Sequence, residues 1–297
     1  MQTLNALGAI EQSQSDQRVV AAVRAAADAT GVSFEYLLAQ ANQESGLDPS
    51  ASNRRSSASG LFQFTASTWL DMVRRHGAAI GLDDYADAIT KGADGHLTVA
   101  DKSMRKAILD LRQDPKISAR MAAEYAKDNQ RILQGKLGRP VSAHDLTLAH
   151  FLGAGGAAKV LEGMGAQPRN SAAHLLPEAA RANPEVFREP GSRKARSVAS
   201  LYNVVQARFS GALGEVAPMV GTATAMARTD LAALHPQPRP EAATTTPALR
   251  PDPGEQVAAA PEPAASPFGE TQSASPFANA VEPPSPFFPV PIAPRRV

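Results

Sequence analysis

Cysteine is absent from the 297 residues, so disulfides, thiol nucleophiles and thiolate metal sites are excluded. No charge of one sign dominates. Thirty Lys and Arg stand against 29 Asp and Glu, which leaves +1 and no electrostatic case for nucleic acid. Nor is there an apolar run of about 18 residues, the length a membrane span needs. Residues 1–16 lack a basic start and a long apolar core and do not read as a signal peptide. What the chain does have is apolar material: 43 % of its residues, enough to core one or two domains.

The most informative stretch runs from Ser33 to Trp69. Ser33 suits a helix cap, since its oxygen can accept a free first-turn amide. Phe34, Leu37, Leu38 and Ala41 follow at helical spacing and form one apolar stripe. Glu44 takes the next position on that stripe, and Gly46 suits a left-handed helix stop. Burial and the negative end of the helix dipole both disfavour the charged carboxylate. Together they raise its pKa, as a general acid at neutral pH requires. On helix position alone, a partly solvated glutamate at a frayed end is the competing reading. A polar run from Asp48 to Ser59 then leads to Gly60-Leu61-Phe62-Gln63-Phe64 and a new helix near Thr65 or Ser67. Such a loop can fold over the helix end as a groove wall, with Gln63 placed to hydrogen-bond a polar ligand.

Glu44-Ser45, then Pro49, Ala51 and Ser52, then Gly60-Leu61-Phe62-Gln63-Phe64 and Thr68 resemble the signature of soluble lytic transglycosylases. That signature reads E-S, P-x-A-x-S, G-L-M-Q-[LI] and a threonine. Phe62 for Met, Phe64 for Leu or Ile, and an Arg-Ser-rich run before Gly60 are the departures. The resemblance implies a mostly α, goose-lysozyme-like domain acting on peptidoglycan glycan strands. It implies Glu44 as the catalytic residue, with Ser45, Gln63, Phe62, Gly60 and Phe151 as substrate-binding candidates. No metal or organic cofactor is called for. The substrate implies the periplasm or cell envelope, and without a visible signal peptide another export route, delivery through a secretion or flagellar machine, or a misplaced start codon is required.

Asp16 to Ala29 is expected to form a helix capped by Asp16, and Ser67 to His76 another. Trp69 reads as a core residue or as a sugar-stacking platform; His76 reads as a helix-end histidine. Asp94, Gly95, Leu97, Thr98 and Asp101 are faintly like a calcium loop. Thr90 and Gly92 are wrong for its first positions, so a polar surface connection is expected. Further helices are expected at Ser103–Arg112, Lys116–Leu133, Ala172–Ala182 and Lys194–Phe209. Glu124 and Asp48 are the carboxylates that could serve beside Glu44.

Leu146 to Ala157 is apolar and then glycine-rich, with no Lys-Ser or Lys-Thr to make it a phosphate loop. The family has A-x-Y-N-A-G here, with the tyrosine near the glutamate. Phe151 occupies the tyrosine's place, and Leu152 that of the asparagine. His150 is adjacent, but on a helix it points about 100° away.

The expected boundaries are an N-terminal extension over 1–15, the catalytic domain over 16–210, and a linker with a disordered tail over 211–297. From Pro236 onward the chain holds 16 of its 24 prolines, a composition that cannot bury enough surface to order itself. Ser-Pro-Phe occurs at Ser266, Ser275 and Ser285, either as coincidence of composition or as docking motifs for a protein partner.

The resemblance implies a mechanism in which one acid suffices because the substrate assists: Glu44 would protonate the leaving oxygen, the muramoyl N-acetyl group would attack its own anomeric carbon, and the 6-hydroxyl would close a 1,6-anhydro ring. A goose-type hydrolase would need Asp48 or Glu124 to hold a water. A non-enzymatic peptidoglycan-binding scaffold is the third reading.

Overall fold

The computed structural model describes residues 2–53 and 56–234, with side chains over 13–53 and 56–222. The Pro-rich stretch from Pro236, with its three Ser-Pro-Phe copies, lies outside them. Among the described residues there are eleven helices and one two-strand hairpin.

Helix α1 spans Gln2–Thr30 without a break, so Asp16 lies inside it and not at its start. Gln and Ser are only mildly unfavourable in a helix, and nothing between Glu11 and Asp16 terminates one. Its inner face, Val19, Val23, Ala26 and Ala27, is buried. Helix α2 is Phe34–Ser45. The Ser33 Oγ accepts from the Tyr36 amide at 3.1 Å, and Gly46 ends the helix at φ +64°. Leu37, Leu38 and Ala41 are fully buried, worth roughly 1.5–3 kcal/mol for each leucine.

Helix α3 is Ala66–His76, capped by Thr65. A short α4 (Asp83–Asp87) leads to the antiparallel pair β1 (Thr90–Lys91) and β2 (Leu97–Thr98), with Lys91 opposite Leu97. In the turn between them Asp94 Oδ1 accepts from the His96 amide at 3.0 Å. The expected polar surface connection takes the form of an exposed hairpin. Helix α5 is Lys102–Asp110 and α6 is Pro115–Leu137. Asp114 caps α6 through the amides of Lys116 and Ile117, and Pro115 fills the first turn, where its missing amide costs nothing.

Helix α7, Ala143–Ala166, is two helices joined across a kink at Gly153, with φ 69° and ψ 159°. Only glycine adopts that conformation without strain. The helix expected over Ala172–Ala182 is divided into α8 (Ala172–Leu175) and α9 (Pro177–Ala182), because Pro177 cannot continue the first. A further turn, α10, covers Pro184–Phe187. Helix α11 runs over Val198–Leu234, beyond the boundary expected at 210. Phe209, Ala212 and Val216 continue its buried face, so the helical spacing does not stop at Phe209.

Two cores result. The first lies among α1, α2, α3, α6 and the middle of α11; the second joins α7 to α8, α10 and the start of α11. Helix α2 packs against both α1 and α11 and touches α6, which in turn packs against α1 and α7.

Asp128 fastens α6 to α3. His76 Nε2 lies 2.8 Å from its Oδ2, Arg75 donates to the same oxygen, and Arg131 reaches its Oδ1 at 3.4 Å. His76 is therefore a fastening residue as well as a helix end. Burial works against the Asp128 carboxylate, but the hydrogen bonds from His76 and Arg75 outweigh it and bring the carboxyl from 3.8 down to about 2. A depressed acid stabilises the fold above its unfolded pKa and loses that contribution as the pH falls through the folded one. Asp128→Asn is thus expected to cost about 1–3 kcal/mol near neutrality. The gap to the unmodified protein should close between pH 3.8 and about 2. Urea melts at several pH values check this; a gap that stays constant with pH would refute it.

Candidate active site

The site is built on the seam between α2 and α7. Gln40 and Glu44, one turn apart on α2, face Thr147 and His150 on α7. Gln40 Nε2 donates to Thr147 Oγ1 at 3.3 Å, and Glu44 Oε1 lies 3.2 Å from His150 Nε2. The Glu44 side chain is only 2 % exposed. Burial pushes its carboxyl above the ordinary 4.5, and the contact with His150 pulls in the opposite direction without reversing it. A carboxyl of this kind holds a proton at higher pH than a free one and can deliver it.

The loop after α2 is pinned from several sides. Leu47 and Gln63, the two non-glycine residues with positive φ among those described, stand near its two ends. The Ser45 hydroxyl is shared between the carbonyls of Ala41 (3.0 Å) and Leu61 (2.8 Å). Gln63 Nε2 donates to the carbonyls of Ala51 (3.1 Å) and Gly60 (2.9 Å). From outside the loop, Arg112 sends Nη1 to the carbonyls of Ser57 (2.6 Å) and Phe64 (3.0 Å), while its Nε binds Leu109 at 2.8 Å. Burial lowers the pKa of this guanidinium. Hydrogen bonds to three carbonyls compensate its lost hydration.

These positions bear on several expectations. Phe62 is 1 % exposed and sits in the first core. Gly60 is required by the protein itself: a Cβ there would lie 1.9 Å from the Arg112 carbonyl oxygen. The polar groups of Ser45 and Gln63 hold the loop's backbone. Phe151 belongs to the second core, and the α7 side chain that meets Glu44 is His150. Trp69 is a core residue whose indole N–H donates to the Ile108 carbonyl at 2.7 Å. Both candidate second carboxylates are engaged by other partners. Asp48 closes its own turn on the Ser50 amide at 2.8 Å. Glu124 is buried, not solvated as a helix-surface glutamate would be, and is engaged by Arg120 at 3.0 Å and Lys127 at 3.4 Å.

Residues 21–92 match the family model of the transglycosylase SLT domain, from α1 through α2 and the pinned loop to β1. The chain carries a soluble lytic transglycosylase-type domain. This agrees with the mostly helical architecture, since the SLT domain is lysozyme-like, and it supports a function of the lytic transglycosylase family. No helix among the described residues is long and apolar enough to cross a membrane. Arg112, Asp128 and His150 all lie beyond the matched stretch of the SLT domain. Sequence reasoning passed over Arg112 and Asp128, because an arginine bound to carbonyls and a salt bridge between helices leave no local pattern. For His150 the signal was its place beside the expected tyrosine.

Proposed function

We propose that the chain is a peptidoglycan lytic transglycosylase that cleaves the β-1,4 bond between N-acetylmuramic acid and N-acetylglucosamine. Glu44 acts first as acid and then as base. The observation that carries this reading is one buried, pKa-raised carboxyl at the end of α2, within an SLT domain, with Asp48 and Glu124 committed elsewhere. Such a substrate puts the working protein in the cell envelope.

The steps balance on one carboxyl. Glu44 gives its proton to the glycosidic oxygen as the bond from the anomeric carbon breaks. The muramoyl acetamido oxygen attacks that carbon and holds the positive charge as an oxazolinium. The Glu44 carboxylate then removes the proton from the 6-hydroxyl. That oxygen displaces the acetamido group and forms the 1,6-anhydro ring. Glu44 ends protonated, ready for another strand, and no water is consumed. Intramolecular attack by a well-oriented hydroxyl is favoured by on the order of 7 kcal/mol or more over attack by an external nucleophile.

Muropeptides released from purified sacculi, analysed without borohydride reduction, decide the outcome. Anhydro ends are expected. Hydrolysis would add one water, about 18 mass units, and require a second group to hold it. A majority of reducible ends would replace this reading with a lysozyme-like hydrolase.

A further inference from the structure

We propose that His150 is the positioning residue of Glu44: it holds Oε1 through Nε2 and leaves the other carboxyl oxygen to exchange the catalytic proton. This deepens the reading above and rests on it for the word catalytic, though the pairing itself does not.

The geometry has four parts. His150 Nε2 lies 3.2 Å from Glu44 Oε1, with the histidine side chain 9 % exposed and the glutamate side chain 2 %. The imidazole plane is fixed by the Tyr125 ring, edge-on at 6.1 Å and 74°, and Tyr125 in turn meets Phe64 of the pinned loop at 6.2 Å. One turn back along the seam, the Gln40–Thr147 hydrogen bond sets the register of α2 on α7. The kink at Gly153 begins one turn after His150 and ends the helical segment that carries it.

The chemistry follows from the proposed cycle. While Glu44 carries its proton, the contact with His150 distinguishes its two oxygens. Once the proton has gone to the leaving group, a carboxylate sits in a buried pocket, and the Nε2–H donates to it. A donor that acts on the carboxylate and little on the acid makes proton release easier. Among the other titratable groups, the buried Tyr36 interacts electrostatically with Glu44. Tyr36 shares the helix with Glu44, and Tyr125 comes from α6. Glu215 of α11 receives Asn42 Nδ2 at 2.6 Å, and the Arg24 guanidinium of α1 lies 3.6 Å over the Phe34 ring.

The test is a titration of the full chain with glutamate labelled at the δ carbon, the Glu44 signal being the one lost in Glu44→Gln. His150→Phe keeps a ring against Tyr125 and removes the donor. Its Glu44 midpoint is expected to rise by about one unit, a tenfold change in the acid constant. His150→Gln restores an N–H and should bring the midpoint part of the way back. The high-pH limb of kcat/KM on peptidoglycan should move with these midpoints, whereas loss of packing alone would lower the rate equally at all pH values. An unshifted midpoint in folded His150→Phe overturns the proposal. The unmodified protein supplies a second measurement should that variant not fold: the His150 Nε2 nitrogen shift must inflect at the Glu44 midpoint, and independent inflections overturn the pairing. A coupled titration in a protein that leaves peptidoglycan intact upholds the pair and removes the transglycosylase reading instead.

Discussion

Glu44→Gln is expected to lower the turnover of purified sacculi by at least about a hundredfold, the usual scale for loss of acid–base catalysis, with the fold retained. The amide keeps the shape of the carboxyl and can still meet His150, but it has no proton to give or take. The same change should alter the dependence of stability on pH. Glu44 is raised above 4.5 in the folded state, mainly by burial. The folded protein therefore binds this proton more tightly than the unfolded chain does. A raised acid contributes its stability below the unfolded value and loses it as the pH rises through the folded one. The unmodified protein should thus lose stability over that window, and Glu44→Gln should lose less. Near-normal turnover by a folded Glu44→Gln protein would remove Glu44 from the mechanism.

Gly60→Ala should be among the most damaging single-methyl additions to the fold. Gly60 stands at φ +81°, and a Cβ built there meets the Arg112 carbonyl oxygen at 1.9 Å. The obstacle is backbone, and Arg112 is itself tied to Ser57 and Phe64, so neither side can easily give way. Left-handed strain of about 1–2 kcal/mol adds to an overpacking cost of about 1–3 kcal/mol, for a loss of roughly 3 kcal/mol or more. Gly46→Ala is the control, because it shares the positive φ but has nothing within 4 Å of the added methyl. It should lose only about 1–2 kcal/mol, the strain alone. Urea unfolding of the two variants measures the difference; equal losses would show that the close approach of Arg112 costs nothing.

The parts of the molecule readable from sequence are those set by neighbours along the chain. The Ser33 cap, the stripe ending at Glu44 and the Gly46 stop are all local, and each stands as read. Phe62 and Phe64, the departures from the signature, are both apolar core residues, with Phe64 5.3 Å from Trp69. What failed to show were choices made by distant packing. Adjacent residues of α7 face different neighbours: Phe151 enters the second core and His150 meets Glu44, a division that depends on where α6 and α8 lie. Composition points to polar contacts for Ser45 and Gln63, but it cannot say that the partners are backbone carbonyls. The run of α11 past Phe209 was obscured by glycines and Pro218, which tertiary packing overrides.

The hydrogen bond from Asn42 to Glu215 joins positions 173 apart in the sequence, two residues from Glu44. Assembly order is thereby constrained. Nearly all of the described chain must be synthesised before α2 acquires its contacts with α11. Closing so wide an interval is an entropic cost that local helix formation cannot relieve. Until α11 is made, α2 is a short helix without its partner, and isolated helices of that length are marginal in water. The contacts on the flank of α2 that carries Asn42 are therefore among the last of the described fold to form.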